Sequence, residues 1–176
     1  PETTIVPPLS SASRLFLRII VRISRSSVGS PLTQRPLEVR NRTALAEGFA
    51  TESLDGRRVA PLMGDSPDAD VGVLRMRSLP NFWLHASCDH AVVTRMLPAG
   101  ARKTLMKSYW LVHKDAREGA DYQLDHLLPF WHLTNEQDWE ICRWQQRGVE
   151  SIGYEPGSLS QRKEYNVDAF IRWYLK

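Results

Sequence analysis

Cysteine is scarce in this 176-residue chain: there are two, Cys88 and Cys142, and no C-x-x-C. Two thiols cannot build a disulfide framework, so the fold must rest on a packed core, and a reducing, cytoplasmic setting is expected. Long apolar runs are missing too, and no stretch is long enough to span a bilayer. Internal repeats and low-complexity tracts are absent, which argues for one ordinary globular unit. A basic stripe with interleaved aromatics is also lacking, although the pI is near 9.1. Residues 1–37 hold five arginines against Glu2, a local +4 within a total of +3, which leaves −1 for the remainder. The basicity belongs to the N-terminal stretch, and nucleic acid is not an expected partner.

What is present suffices for one domain, with 42% apolar residues to form its core. Six tryptophans suit either an aromatic-lined cavity or a well-packed interior. The chain divides into a basic amphipathic leader, residues 1–44, and a domain, residues 45–176. Within the leader, residues 13–24 set Arg14, Arg18 and Arg22 at helical spacing among apolar residues. That pattern fits a targeting or membrane-surface segment, a docking helix, or sequence foreign to the domain.

From Gly48 the texture changes. Asp55-Gly56 is a hairpin-type turn signal with extended flanks, and residues 65–70 form a polar loop. Four strands follow, over residues 71–78, 82–88, 91–97 and 103–113, broken at Leu79-Pro80-Asn81, Asp89-His90 and Pro98-Ala99-Gly100-Ala101. Such spacing predicts an antiparallel meander. A long helix is expected over residues 123–151, with Pro129 kinking it or restarting it at Thr134, and Gly148 at its C-cap. A second helix over residues 161–176 would turn Val167, Phe170, Ile171 and Tyr174 inward. The result is an α+β layer in which a curved sheet packs on one long helix.

Asp138 stands out on the long helix. On an unbroken helical wheel, Leu127, Trp131, Gln145 and Val149 fall within about twenty degrees of it and Cys142 within about forty. Glu136, Glu140, Arg143 and Arg147 fall opposite. A carboxylate on the apolar face needs a metal, a cation or several donors. It is either a core aspartate held by such donors or a metal ligand. Cys142, on the same face, would be a buried and inert thiol.

The segments GFATESLDG, LPNFWLHASCDHAVVTRMLPAG, LVHKDAREGADYQLDHL, TNEQDWEICRWQQRGVES, YEPGSLS and FIRWY, taken together and in this order, carry a resemblance. Residues from about 48 to 174 resemble the C-terminal part of the catalytic domain of Rieske non-haem iron, ring-hydroxylating-type oxygenase alpha subunits. The nearest likeness is to the branch acting on quaternary ammonium compounds such as glycine betaine, stachydrine, choline or carnitine. The resemblance implies a helix-grip (START/TBP-like) fold, here a partial domain, in agreement with the layer just described. It also implies a mononuclear Fe(II) held by two His and one carboxylate. The carboxylate falls on Asp138. A small-molecule substrate, an electron-supplying reductase and a trimeric assembly of the intact protein are implied as well, within a family also known for the catabolism of aromatic compounds.

The departures carry equal weight. The family's D-x-x-H-x-x-x-x-H segment, which supplies both His ligands, has no counterpart in this chain, and the paired C-x-H and C-x-x-H motifs that bind the [2Fe–2S] Rieske cluster are not present as a pair. A fragment or truncated gene product, inactive alone, is the expectation. The competing reading is a non-catalytic helix-grip module that binds a small molecule. His85 and His90 share the ligand spacing H-x-x-x-x-H, but a separation of five sends strand residues to opposite faces, so they read as strand and turn histidines. Trp83, Tyr109, Trp110 and Trp131 are candidates for an aromatic cage around a trimethylammonium group, or ordinary core aromatics.

Overall fold

The computed structural model describes residues 38–64 and 72–176. The arginine-spaced segment 13–24 and the polar loop 65–70 lie outside the described residues. Five antiparallel strands form one meander in sequential order: β1 (Glu38–Thr43), β2 (Val73–Ser78), β3 (Phe82–Ala86), β4 (Ala91–Gly100) and β5 (Lys103–Leu111). Four of these are the strands the sequence pattern predicts, and β1 is added at the β2 edge, with Glu38 opposite Ser78 and Thr43 opposite Val73. The Asp55-Gly56 turn is real, but its flanks are loop rather than strand. Gly56 adopts φ +75° and its carbonyl accepts the amides of Ala50 and Thr51; a Cβ there would overlap the Phe49 ring.

Alternation along the strands splits the interior in two. Leu74, Leu84, Ala86 and Ala91 pack with Met63 on one face of the sheet. Val92 and Trp110 face the other way, against Tyr122, Leu127 and Trp131. This second face receives the helices.

The predicted long helix is two. A single turn, α1 (Leu124–Leu127), precedes α2 (Pro129–Val149), which begins at Pro129 rather than at Thr134. Proline is favoured at the first helical position because its missing N–H would have had no partner there. Gly148 lies inside α2, and the C-cap is Glu150. The last helix is α3 (Tyr165–Tyr174), shorter than expected. Its predicted inner stripe is not buried: Val167, Ile171 and Tyr174 are all exposed, and Phe170 stacks on Tyr174. No described element covers that stripe.

Candidate functional site

The most densely connected polar group lies where the loop of residues 46–64 folds over the β3–β4 connection. Ser87, Cys88, Asp89 and His90 form that connection, closed by the Ser87 amide donating to the His90 carbonyl. Asp89 is wholly buried and His90 is 1% exposed, an unusual place for two ionisable side chains. Burial of a carboxylate demands donors, and four are supplied. Asp89 Oδ1 accepts from Thr51 Oγ1 at 2.5 Å and from His90 Nδ1 at 2.9 Å. Its Oδ2 accepts from the amides of Val59 at 2.7 Å and Ala60 at 3.3 Å. Burial pushes the Asp89 carboxyl up, but His90, Thr51 and the Val59 amide outweigh it and hold the group below its ordinary value. On the far side of the ring, Trp131 Nε1 donates to His90 Nε2 at 3.1 Å. One chain of hydrogen bonds thus joins the loop, the sheet and α2.

Beside it lies a second acidic group. Glu52 Oε1 accepts from Arg75 Nη2 at 3.1 Å, and Oε2 lies 3.5 Å from His85 Nδ1, an ion-pair distance rather than a close hydrogen bond. Burial raises the Glu52 carboxyl, yet His85 and then Arg75 hold it below its ordinary value. The His85 ring meets Trp131 edge-on at 5.5 Å.

Asp138 is not inward. It is exposed, as are Cys142, Gln145 and Val149 from the same predicted face, so Cys142 is not the buried thiol expected. Trp131, which shares that face within α2, is buried as the wheel expects, but further along the helix the same face is uncovered among the described residues. Among the described residues Trp131 is the only buried member of α2, and the sheet contact further along is made by Trp139, whose Nε1 donates to Met106 Sδ at 3.0 Å. Asp138 is about one hundred degrees from Trp139 around the helix and so projects away from that contact.

His85 is on β3 and His90 in the turn, as expected, but the turn brings both rings against Trp131 instead of sending them to opposite faces. His126 and His132 are exposed on α1 and α2, and His113 follows β5. Among the described residues no group of three or more His, Cys, Asp or Glu is arranged to hold a metal ion.

The aromatic cage does not assemble. Tyr109 pairs across from Val93 and Trp110 from Val92, so the pleat sends these two to opposite faces. Trp110 is buried in the helix-side core, while Trp83 is exposed with Arg77 over its ring.

Sequence reasoning missed Thr51, Glu52 and Asp89. A signal was available: Ala86, Ser87, Cys88 and Ala91 surround Asp89-His90 with small residues where a solvated turn would carry Gly or Pro. Cys88-Asp89-His90 is moreover a literal C-x-H, half of the cluster-binding pair otherwise missing. The structure uses it differently. Cys88 Sγ donates to the Ala50 carbonyl at 3.2 Å, and both His90 ring nitrogens are engaged.

Comparison with known proteins agrees with this architecture. The chain matches the family described as Ring hydroxylating alpha subunit (catalytic domain) over residues 32–176. It is 43% identical over 134 residues to the glycine betaine monooxygenase oxygenase subunit of Chromohalobacter salexigens, covering 76% of this chain and 30% of that protein. It is 37% identical over 148 residues to the protein of the same name from two strains of Pseudomonas aeruginosa, covering 82% of this chain and 34% of each. The chain thus spans about a third of the length of these curated relatives. Their names point to a quaternary ammonium substrate and lend no support to catabolism of aromatic compounds. With a match over most of its length and a five-stranded meander carrying a long and a terminal helix, this chain belongs to the ring-hydroxylating oxygenase alpha-subunit family, as part of its catalytic domain.

Proposed function

We propose that this chain is the C-terminal part of the catalytic domain of an iron-dependent oxygenase that hydroxylates an N-methyl group of a small quaternary ammonium compound, leading to demethylation. The observation that carries this reading is the 43% identity to a glycine betaine monooxygenase oxygenase subunit across 76% of the chain. In this reading Asp138 contributes one carboxylate to a mononuclear Fe(II), the two His ligands and the Rieske cluster come from residues not in this sequence, and a reductase supplies the electrons. Iron would supply the oxygen chemistry. This chain's own part is to carry Asp138 on a rigid helix and to back that helix with the sheet. An exposed Asp138 is compatible with the role, because a shared ligand must present its oxygens to groups beyond its own helix.

The test is genomic and then chemical. Translating all three frames of the DNA upstream of the Pro1 codon is expected to reveal C-x-H, C-x-x-H and D-x-x-H-x-x-x-x-H. In the polypeptide that contains them, Asp138→Ala is expected to lose bound iron. Absence of all three motifs, or iron retained by that variant, would sink the assignment.

A further inference from the structure

The proton positions in the Asp89–His90–Trp131 chain follow from donor and acceptor chemistry. A carboxylate only accepts, and Asp89 Oδ1 lies 2.9 Å from His90 Nδ1, so that nitrogen carries the proton. An indole N–H only donates, and Trp131 Nε1 lies 3.1 Å from His90 Nε2, so that nitrogen is bare. These two partners assign the donor and acceptor nitrogens of the ring. Its acceptor cannot turn away, because Thr51 and the amides of Val59 and Ala60 tie the Asp89 carboxylate from the loop side.

The other end of the chain reaches the helix. Trp131 meets His90 in the β3–β4 connection, and Trp139 meets Met106 on β5. Two indole contacts eight residues apart, made to separate parts of the sheet, define both the axis of α2 and its rotation about that axis. Asp138 stands next to the second contact and about two turns beyond the first.

We infer that Asp89 and His90 are positioning residues: acting through the Trp131 indole, they set the rotation of α2 and hence the direction in which Asp138 projects. The functional consequence rests on the reading of Asp138 as an iron ligand, whereas the positioning does not.

Nuclear magnetic resonance of the 15N-labelled 176-residue chain tests the inference. In the native protein, His90 is expected as the Nδ1–H tautomer, with the Trp131 indole proton slow to exchange. Trp131→Phe keeps a ring against His85 and Phe130 but removes the N–H. Its expected effect is to shift the amides of residues 135–142 and to cut exchange protection along α2 by about tenfold, leaving β2 to β5 unchanged. His90→Gln, which can accept from the indole and donate to Asp89, should keep the native α2 shifts, and His90→Leu should lose them.

An Nε2–H tautomer in the native protein overturns the inference, as does Trp131→Phe with native shifts and protection in α2, or Gln and Leu variants that behave alike. The tautomer measurement needs no variant, so a His90→Leu chain that fails to fold leaves the question decided. Because iron is never read out, failure here and failure of the Asp138 assignment are separate results.

Discussion

Asp89 illustrates how one buried charge organises a loop, a turn and a helix. Its carboxylate accepts from four donors on three separate segments. Removing the acceptor strands those donors, so Asp89→Ala is expected to destabilise the chain by about 3–5 kcal/mol in urea unfolding. The pH dependence has a definite sign. The folded-state value lies below the ordinary 3.8, so this stabilisation is complete above 3.8 and is lost as pH falls through the depressed folded value. Asp89→Asn should therefore flatten the acid limb of stability measured between neutral pH and pH 3, and an acid limb as steep as that of the native chain would remove Asp89 as its cause. Glu52 contributes in the same direction, from its ordinary 4.5 downward. The thiols make a simpler contrast: Cys142 is exposed and Cys88 buried, so a thiol reagent should label one site rapidly and the second only on unfolding.

At the scale of elements, α2 is held to the sheet by few points. Trp131 is buried at its first turn, Trp139 touches Met106, and Glu150 beyond its end pairs with Arg102 at 3.0 Å. Between them Leu133, Ile141 and Trp144 remain exposed. Pro129 should matter little to this helix despite its reputation as a breaker. At the first helical position it sacrifices no hydrogen bond, so Pro129→Ala should change thermal stability by less than about 1 kcal/mol, whereas proline in the helix interior costs about 3. A gain approaching the larger figure would mean that Pro129 is an interior residue of one continuous helix. The misplacement of Asp138 on the wheel has a related cause: Trp131 marks its face as inward at the first turn, but two turns later the contact with the sheet has passed to Trp139 and that face is left exposed.

At the scale of the molecule, the described residues build a sheet with a helical layer on one side and a loop-capped core on the other, and no helix among them is long and apolar enough to cross a membrane. Oxygenase turnover needs an electron path through a cluster and a complete iron site. On the proposed reading, the cluster motifs and the two His ligands lie outside these 176 residues. The purified 176-residue chain, supplied with Fe(II), a reductase and oxygen, is therefore expected to turn over no glycine betaine. Substrate-dependent oxygen uptake by this chain alone would refute that.

The sequence by itself determined the strand pattern, the family and the segments that carry it. Those properties are local: period-two alternation in β2 to β5, turn residues at Pro80 and Gly100, and short motifs read in order. The failed cage could also have been avoided, since Tyr109 and Trp110 are neighbours on a strand and must face apart. Only the tertiary structure decided which polar residues are buried together. Thr51 and Asp89 are thirty-eight positions apart, and His90 and Trp131 forty-one. No local pattern encodes that the 46–64 loop folds over the β3–β4 turn, because its hydrogen bonds exist only once both segments and α2 have packed.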